Sequence, residues 1–128
     1  MIDKRKQGKN NRAKGKAFEK RVEKDLESKG WIVIKFNKQV DLDKNELVTA
    51  KPQFNPFFKR IVGEGSGFPD FLIFRKSPNE TDFIIQLVEC KINGYLDLKE
   101  KGKVEWIKSK LKIPVFIASK NGREIKYE

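Results

Sequence analysis

Apolar side chains recur along the chain with two periods, and the change from one period to the other separates the predicted elements. A stripe with a spacing of four residues predicts an amphipathic helix over residues 12–29, and its members are Phe18, Val22 and Leu26. Gly30 follows directly and is typical of a helix end. The segment WIVIKF at residues 31–36 is rich in β-branched and aromatic side chains, so it predicts a strand.

Two long apolar segments in the middle of the chain predict a hairpin. The first is FLIF at residues 71–74, and the second is DFIIQLVECKI at residues 82–92. The residues between them, around 76–81, are typical of a turn. So short a connection favours antiparallel pairing. The start of the first strand is therefore expected beside the end of the second.

The remaining elements complete a small α/β domain. Residues 97–111 show helical spacing, and residues 114–119 predict a strand. Asn121-Gly122 predicts a hairpin turn into a last short strand. Residues 37–62 form an insert that fits a long loop, a hairpin or an excursion with a short helix. The expected order is α-β-insert-β-β-α-β-β, which predicts a central mixed β-sheet flanked by helices.

The length of 128 residues suits one domain. We interpret residues 12–128 as that domain and residues 1–11, which are basic and lack apolar periodicity, as a flexible arm. Ten Phe and two Trp argue against disorder, because chains that cannot bury apolar area usually lack aromatic residues. No apolar run approaches the ~20 residues of a membrane helix, and the basic N-terminus lacks the apolar stretch of a secretory signal. We expect a cytoplasmic, intracellular protein.

The chain contains no His and a single Cys, which removes several kinds of chemistry. A structural zinc site is nearly excluded, and an internal disulfide framework is impossible. Ser-His-Asp and Cys-His catalysis are excluded as well. An enzyme built on this sequence would work with carboxylates, lysines and, if a metal takes part, a hard cation.

The net charge of +11 is unevenly distributed along the chain. Residues 1–16 carry +6 and residues 92–128 carry +4, whereas residues 61–91 carry −2. Basic flanks favour a polyanionic partner, because contacts from Lys and Arg to phosphates dominate nucleic-acid affinity. The alternative is a surface whose charge serves only solubility.

Acidic side chains mark the two strand ends that the predicted hairpin brings together. Asp70 opens the first strand and Glu89 closes the second, so their carboxylates are expected close to each other. Glu89 and Lys91 are two residues apart and point to the same face of the strand, while Cys90 points to the other face.

Two carboxylates and a backbone carbonyl at one place form an oxygen site suited to Mg²⁺ or Mn²⁺. Such an ion activates water and polarises a phosphoryl oxygen. Lys91 beside it would orient or deprotonate the water, or stabilise the charge of the transition state. Phosphodiester hydrolysis then needs no His. The alternative is an ordinary ion pair at the surface.

With these residues the chain resembles the PD-(D/E)xK nucleases. The matching segments are KAFEKRVEKDLESKGW, GSGFPDFLIF and QLVECK. The chain is most similar to the archaeal Holliday-junction resolvases, which begin with a Gly-x-x-x-Glu helix, here Gly15 to Glu19. The loop GSGFPD also resembles a branch of structure-specific nucleases from phages and repair systems. The resemblance covers roughly residues 12–36 and 63–120.

The resemblance implies a restriction-endonuclease-like core with a metal-dependent site. Asp70 and Glu89 would hold Mg²⁺, for which Mn²⁺ can substitute, together with the carbonyl of Cys90. Lys91 would be the catalytic lysine.

The resemblance also implies two further contributors to the site. Glu19 would reach from the first helix to the metal or to its waters, with Glu23 and Glu64 as the alternatives. Ser66 would lie on the loop beside the scissile phosphate.

The candidate DNA-binding residues are mostly basic side chains near the N-terminus. Lys20 and Lys35 stand where the resolvases usually carry Arg, and Lys keeps the charge but loses the bidentate fork for phosphate. The full set is Lys4, Arg5, Lys6, Lys9, Arg12, Lys14, Lys16, Lys20, Lys35 and Ser66.

The predicted function is a Mg²⁺-dependent DNA endonuclease, a Holliday junction resolvase of DNA recombination and repair that is associated with the nucleoid. Its partner would be a branched four-way DNA, with no membrane involved. Two symmetric cuts suit a two-fold homodimer. The alternatives are another PD-(D/E)xK nuclease, restriction-like, flap-cutting or end-processing, and a non-catalytic nucleic-acid-binding protein.

Overall fold

The computed structural model of the chain describes residues 4–50, 53–55, 60–62 and 67–128, with side chains over 11–50 and 67–128. The helices are α1 (Lys4–Ser28) and α2 (Leu98–Trp106), and α2 continues as a π-helical turn over Ile107–Leu111. The strands are β1 (Ile32–Lys35), β2 (Lys38–Asp41), β3 (Glu46–Thr49), β4 (Gln53–Asn55), β5 (Arg60–Val62), β6 (Phe71–Lys76), β7 (Phe83–Cys90), β8 (Val115–Asn121) and β9 (Glu124–Tyr127).

The centre of the structure is a five-stranded mixed sheet with the order β1-β6-β7-β8-β9. The pair β7 and β8 is parallel, and the other neighbours are antiparallel. The parallel pair is joined through α2, as a crossover between parallel strands requires. The predicted α/β class, with a mixed sheet and helices beside it, is confirmed.

Each face of the sheet carries its own apolar core. On one face the predicted stripe of α1, Phe18, Val22 and Leu26, is buried against Ile73 and Val88. On the other face, Val104 and Ile107 of the second helical segment pack against Leu87 and Val115. We call these sides the α1 face and the α2 face.

The insert resolves into short hairpins, one of the alternatives that its sequence left open. β2 pairs antiparallel with β3, and β4 pairs antiparallel with β5. The first hairpin packs on the α2 face through buried Val40. Its turn is fixed to α2 by a hydrogen bond of 2.6 Å from the Trp106 indole to the Asn45 side chain.

The start of α1 differs from expectation. The helix begins at Lys4 rather than at residue 12, so residues 4–11 are helical, whereas a flexible arm was expected there. The early turns carry no apolar stripe, which is why periodicity did not reveal them. At the other end, Gly30 takes a φ of 91° and closes the helix as predicted. No helix in the described ranges is long and apolar enough to cross a membrane.

Gly67 positions the chain that leads into β6. A Cβ at this residue would lie 2.2 Å from the carbonyl oxygen of Phe36 and 2.7 Å from that of Lys38. The next residue, Phe68, donates its N–H to the same Lys38 carbonyl at 2.9 Å. Only glycine allows this approach, so the segment just before Asp70 is held against the junction of β1 and β2.

Gly67→Ala is expected to destabilise the protein by about 1–3 kcal/mol, because the new methyl group would overlap backbone atoms that cannot move independently. The free energy of unfolding from urea denaturation measures this loss. Gly15→Ala is the matched control, since it adds a Cβ in open space on α1 and should stabilise the helix by up to about 1 kcal/mol. Equal effects of the two substitutions would contradict the assigned role of Gly67.

Candidate metal and nuclease site

The register between β6 and β7 brings the two predicted carboxylates together. Phe71 pairs with Val88 in this antiparallel ladder, so one step further Asp70 stands opposite Glu89. Their side chains are hydrogen-bonded to each other. The juxtaposition expected from the hairpin is therefore present.

Asp70 connects three strands of the sheet. Its Oδ2 accepts a hydrogen bond of 2.8 Å from the backbone N–H of Cys90 at the end of β7. Its carbonyl accepts another of 2.9 Å from the N–H of Phe36, just after β1. These contacts fix both the backbone and the carboxylate of Asp70. Since the N–H and C=O of one strand residue point to the same side, the carbonyl of Cys90 is directed toward the Asp70 side of β7.

Glu89 is the one buried charged residue in the described part of the chain, with 5% of its surface exposed. Burial raises the pKa of its carboxyl to about 10, and the hydrogen bond and negative charge of Asp70 add to the shift, although the charge of Lys91 opposes it. At neutral pH Glu89 therefore keeps its proton, because two carboxylates at such close range cannot both be ionised.

Glu19 approaches Asp70 and Glu89 from α1, and its side chain is half-buried. Burial raises its pKa, the negative charge of Asp70 raises it further, and the charges of Lys35 and Lys16 lower it. Glu19 is thus a helix carboxylate that interacts electrostatically with Asp70. Lys16 and Lys35, both predicted DNA contacts, lie close enough to influence it.

Lys91 shares the α2 face with Glu89, and a partner that the sequence did not reveal holds its side chain. Its ammonium forms an ion pair of 2.6 Å with Glu100 on α2. Burial alone would lower the pKa of Lys91, but the hydrogen bond and charge of Glu100 outweigh burial and raise it. Glu100 is also fixed by a capping box with Asp97 at the helix start, so Lys91 is held in position and charged.

The spacing Asp97-x-x-Glu100 was a readable signal for a helix start. Nothing in the sequence linked Glu100 to Lys91. The two meet only because the segment after β7 folds α2 back over the strand end.

The other predicted residues are less closely tied to the site. Cys90 points to the opposite, α1 face, where it packs against the apolar cluster, and burial raises the pKa of its thiol. Arg12, Lys14 and Lys20 are exposed on α1. Several predicted residues have side chains that lie outside the described ranges, namely Lys4, Arg5, Lys6, Lys9, Glu64 and Ser66. The same holds for the aromatic residues of the insert, Phe54, Phe57 and Phe58.

The donor set suits a hard cation in its chemistry. No group of three or more Cys, Asp or Glu side chains in the described ranges is arranged to hold a metal ion. Mg²⁺, however, is usually held by one or two carboxylates and keeps several waters. Asp70 and Glu89 supply two carboxylates, and the proton they share is what a divalent cation would replace. The residues therefore fit Mg²⁺ or Mn²⁺.

Comparisons with known proteins return no relative. No protein-family model matches the chain, no curated protein matches it significantly, and no solved structure matches its fold significantly.

The proton on Glu89 makes stability depend on pH. The folded state keeps it up to a pKa of about 10, whereas an unfolded chain releases it near pH ~4.3. The stabilisation is complete below the unfolded pKa and is lost as pH rises through the folded pKa. We expect the free energy of unfolding, measured in urea without divalent cations, to fall from about pH 5 to about pH 9.

Glu89→Gln should flatten that fall, because an amide donates to Asp70 without a titrating proton. At about pH 8 the variant is expected to be more stable than the wild type by about 1–3 kcal/mol. Glu105→Gln, which removes an exposed carboxylate from α2, is the control and should change stability by less than about 0.5 kcal/mol. Parallel pH curves for wild type and Glu89→Gln would refute the assigned proton.

Proposed function

We propose that this chain is a metal-dependent DNA endonuclease with a restriction-endonuclease-like core, and that it acts as a Holliday junction resolvase in DNA recombination and repair inside the cell. The observation that carries the proposal is the carboxylate pair of Asp70 and buried Glu89, with Lys91 on the same face. Glu89 is buried and its pKa is strongly raised, and strongly perturbed pKa values cluster at functional sites.

The partner follows from charge. The chain has a net charge of +11, but the charge is uneven, because the candidate site is acidic and the segments on either side of it are basic. Phosphodiester DNA suits that distribution, because basic flanks neutralise phosphates and an acidic centre holds the cation. Contacts to phosphates would fix the position of a branched substrate without reading its sequence.

The metal would be held by Asp70, Glu89 and the carbonyl of Cys90. A bound Mg²⁺ or Mn²⁺ supplies Lewis acidity and a more acidic water. Glu19, at the edge of the pair, would accept a hydrogen bond from the attacking water and orient it. The proton shared by Asp70 and Glu89 must leave when the ion binds, so metal affinity should rise with pH.

Lys91 is better suited to stabilise charge than to act as a base. Its raised pKa keeps the ammonium protonated. An ammonium has three donors, so Lys91 can keep its contact with Glu100 and still donate to a phosphoryl oxygen. Negative charge that develops on that oxygen in the transition state would be stabilised at this position.

A cleavage assay tests the proposal. The protein is incubated with a four-way junction, a flap, a nicked duplex and a linear duplex, each with Mg²⁺ and with EDTA. We expect paired symmetric nicks in the junction with Mg²⁺ only. Asp70→Asn should abolish cleavage, and Lys91→Ala should slow it by about 10²–10³-fold, while both retain DNA binding. Lys110→Ala, an exposed lysine beyond α2, should cut normally.

The same assay separates the alternatives. Equal cutting of linear duplex would replace the resolvase with another nuclease of the same type. Binding of DNA without cleavage in either Mg²⁺ or Mn²⁺ would favour a non-catalytic nucleic-acid-binding protein. Full cleavage activity of Asp70→Asn would show that the catalytic site does not include Asp70 and lies elsewhere in the protein.

An uncovered apolar area on the α2 face supports the homodimer. The strand register aligns Ile32 with Phe74 and Phe74 with Ile85, so these side chains point to one face. The exposed fractions are 53% for Ile32, 46% for Ile34, 60% for Phe83 and 46% for Ile85. β1 is also an edge of the sheet. Two copies of the chain can bury this same apolar patch against each other, as in an isologous two-fold interface.

Sedimentation velocity tests the dimer. The wild type is expected to sediment as a dimer, and the double variant Ile34→Glu with Ile85→Glu as a monomer, because the charges would be buried without partners. Leu98→Glu is the control, since Leu98 is 86% exposed at the start of α2. A monomeric wild type, or a dimeric double variant, would contradict this interface.

A further inference from the structure

A groove lies between α1 and the end of β8, on the α1 face. Its volume is about 420 Å³. The lining residues are Lys14, Ala17, Phe18, Arg21, Ile92 and Lys120. Half of them are cationic and none is acidic. The groove therefore differs from the acidic site beside it in charge.

Backbone contacts keep this groove next to the candidate site. Ile92 directly follows Lys91, and its carbonyl accepts a hydrogen bond of 3.1 Å from the N–H of Lys120. On the helix side, Phe18 precedes Glu19 and packs in the same cluster as Cys90. The groove therefore begins where β7 ends, beside the peptide of Cys90, and runs outward along α1.

The cations at the rim are Lys14, Arg21 and Lys120. Lys14 and Lys120 are exposed, and no ion pair in the described part of the chain uses either lysine or Arg21. The guanidinium of Arg21 donates to the carbonyl of Arg123, a neutral acceptor, and its charge also acts on the carboxylate of Asp25. Cations from two separate elements thus converge on one rim and attract an anion.

The floor of the groove is apolar. It is formed by Ala17, Phe18 and Ile92, and Ile92 is 40% exposed. A deoxyribose offers an apolar face between two phosphates, so a cationic rim over an apolar floor matches the repeat of a sugar-phosphate strand.

The positive surface continues beyond the groove. Arg21 also lines a second depression of about 570 Å³, together with Lys24, Lys29 and Arg123. Of the two acidic residues there, Asp25 is engaged by Lys29 at 2.9 Å and by the hydroxyl of Tyr127. Arg21 therefore joins two cationic depressions into one track along α1.

We propose that this track binds the DNA strand that adjoins the scissile phosphate, with Lys14, Arg21 and Lys120 contacting successive phosphates. The inference rests on the proposed nuclease function and adds the path by which the substrate strand leaves the site. Arg21 and Lys120 become DNA contacts that charge clustering near the N-terminus did not indicate.

The test measures binding of a fluorescent four-way junction in EDTA, where no cleavage occurs, over a series of salt concentrations. The groove variant carries Arg21→Gln and Lys120→Gln, and the matched control carries Lys108→Gln and Lys110→Gln on the other side of the sheet. The groove variant should bind about tenfold more weakly at low salt, with the slope of log affinity against log salt reduced by about 2. The control should change neither quantity.

Neutral methylphosphonates locate the contact. Replacing the phosphates next to the cleaved bond should weaken binding to the wild type and leave binding to the groove variant unchanged. Thermal melting verifies that each variant is folded. If Arg21→Gln melts early, Lys14→Gln with Lys120→Gln carries the test, because both side chains are exposed. Arg21→Lys, which keeps the charge, should retain the salt slope.

Equal affinities and salt slopes for the groove variant and its control would overturn the track and leave the nuclease proposal intact. A wild type that neither binds nor cuts any DNA would instead overturn the proposed function, and the track with it.

Discussion

The antiparallel register between β6 and β7 determines where every group of the candidate site lies. Side chains alternate along a strand, so a slip of one residue would send Glu89 and Lys91 to the α1 face and place Cys90 beside Asp70. The register is held by side chains that have almost no exposure, among them Ile73 and Leu87 at 1% each. Burial of this apolar surface holds the side chains of Asp70 and Glu89 within hydrogen-bond distance of each other. The polar site therefore depends on the hydrophobic core on both sides of it.

Glu89 and Lys91 lie close together in the candidate site, but their surroundings favour opposite charge states. Glu89 is buried next to a negative charge, so its carboxyl stays protonated at neutral pH. Lys91, two residues further, meets Glu100 and stays charged. A divalent ion would displace the proton of Glu89 and leave the ion pair between Lys91 and Glu100 unchanged. The strongly raised pKa of Glu89 thus lies at the place where the proposed chemistry needs a metal, and such perturbed groups are common at functional sites.

Helix α1 serves both the core and the surface. Its apolar stripe packs on the sheet, Glu19 reaches the carboxylate pair, and its outward side presents Lys14, Arg21 and Lys24 to the two depressions. One rigid element therefore relates the acidic centre to the basic surface. A substrate strand that lies along α1 would meet the acidic site at a fixed distance, which is what positioning of a reacting phosphate requires.

The sequence by itself determined the order of elements, the class of the sheet and the meeting of Asp70 with Glu89, because these follow from local periodicity and from a short hairpin. It did not predict the helical turns from Lys4, which carry no apolar stripe, nor the two small hairpins of the insert, whose signals were mixed. Only the tertiary structure decided the partner of Lys91, the requirement for glycine at position 67 and the protonation of Glu89. Each of these depends on burial or on contact between residues far apart in the chain, and neither quantity can be read from local pattern.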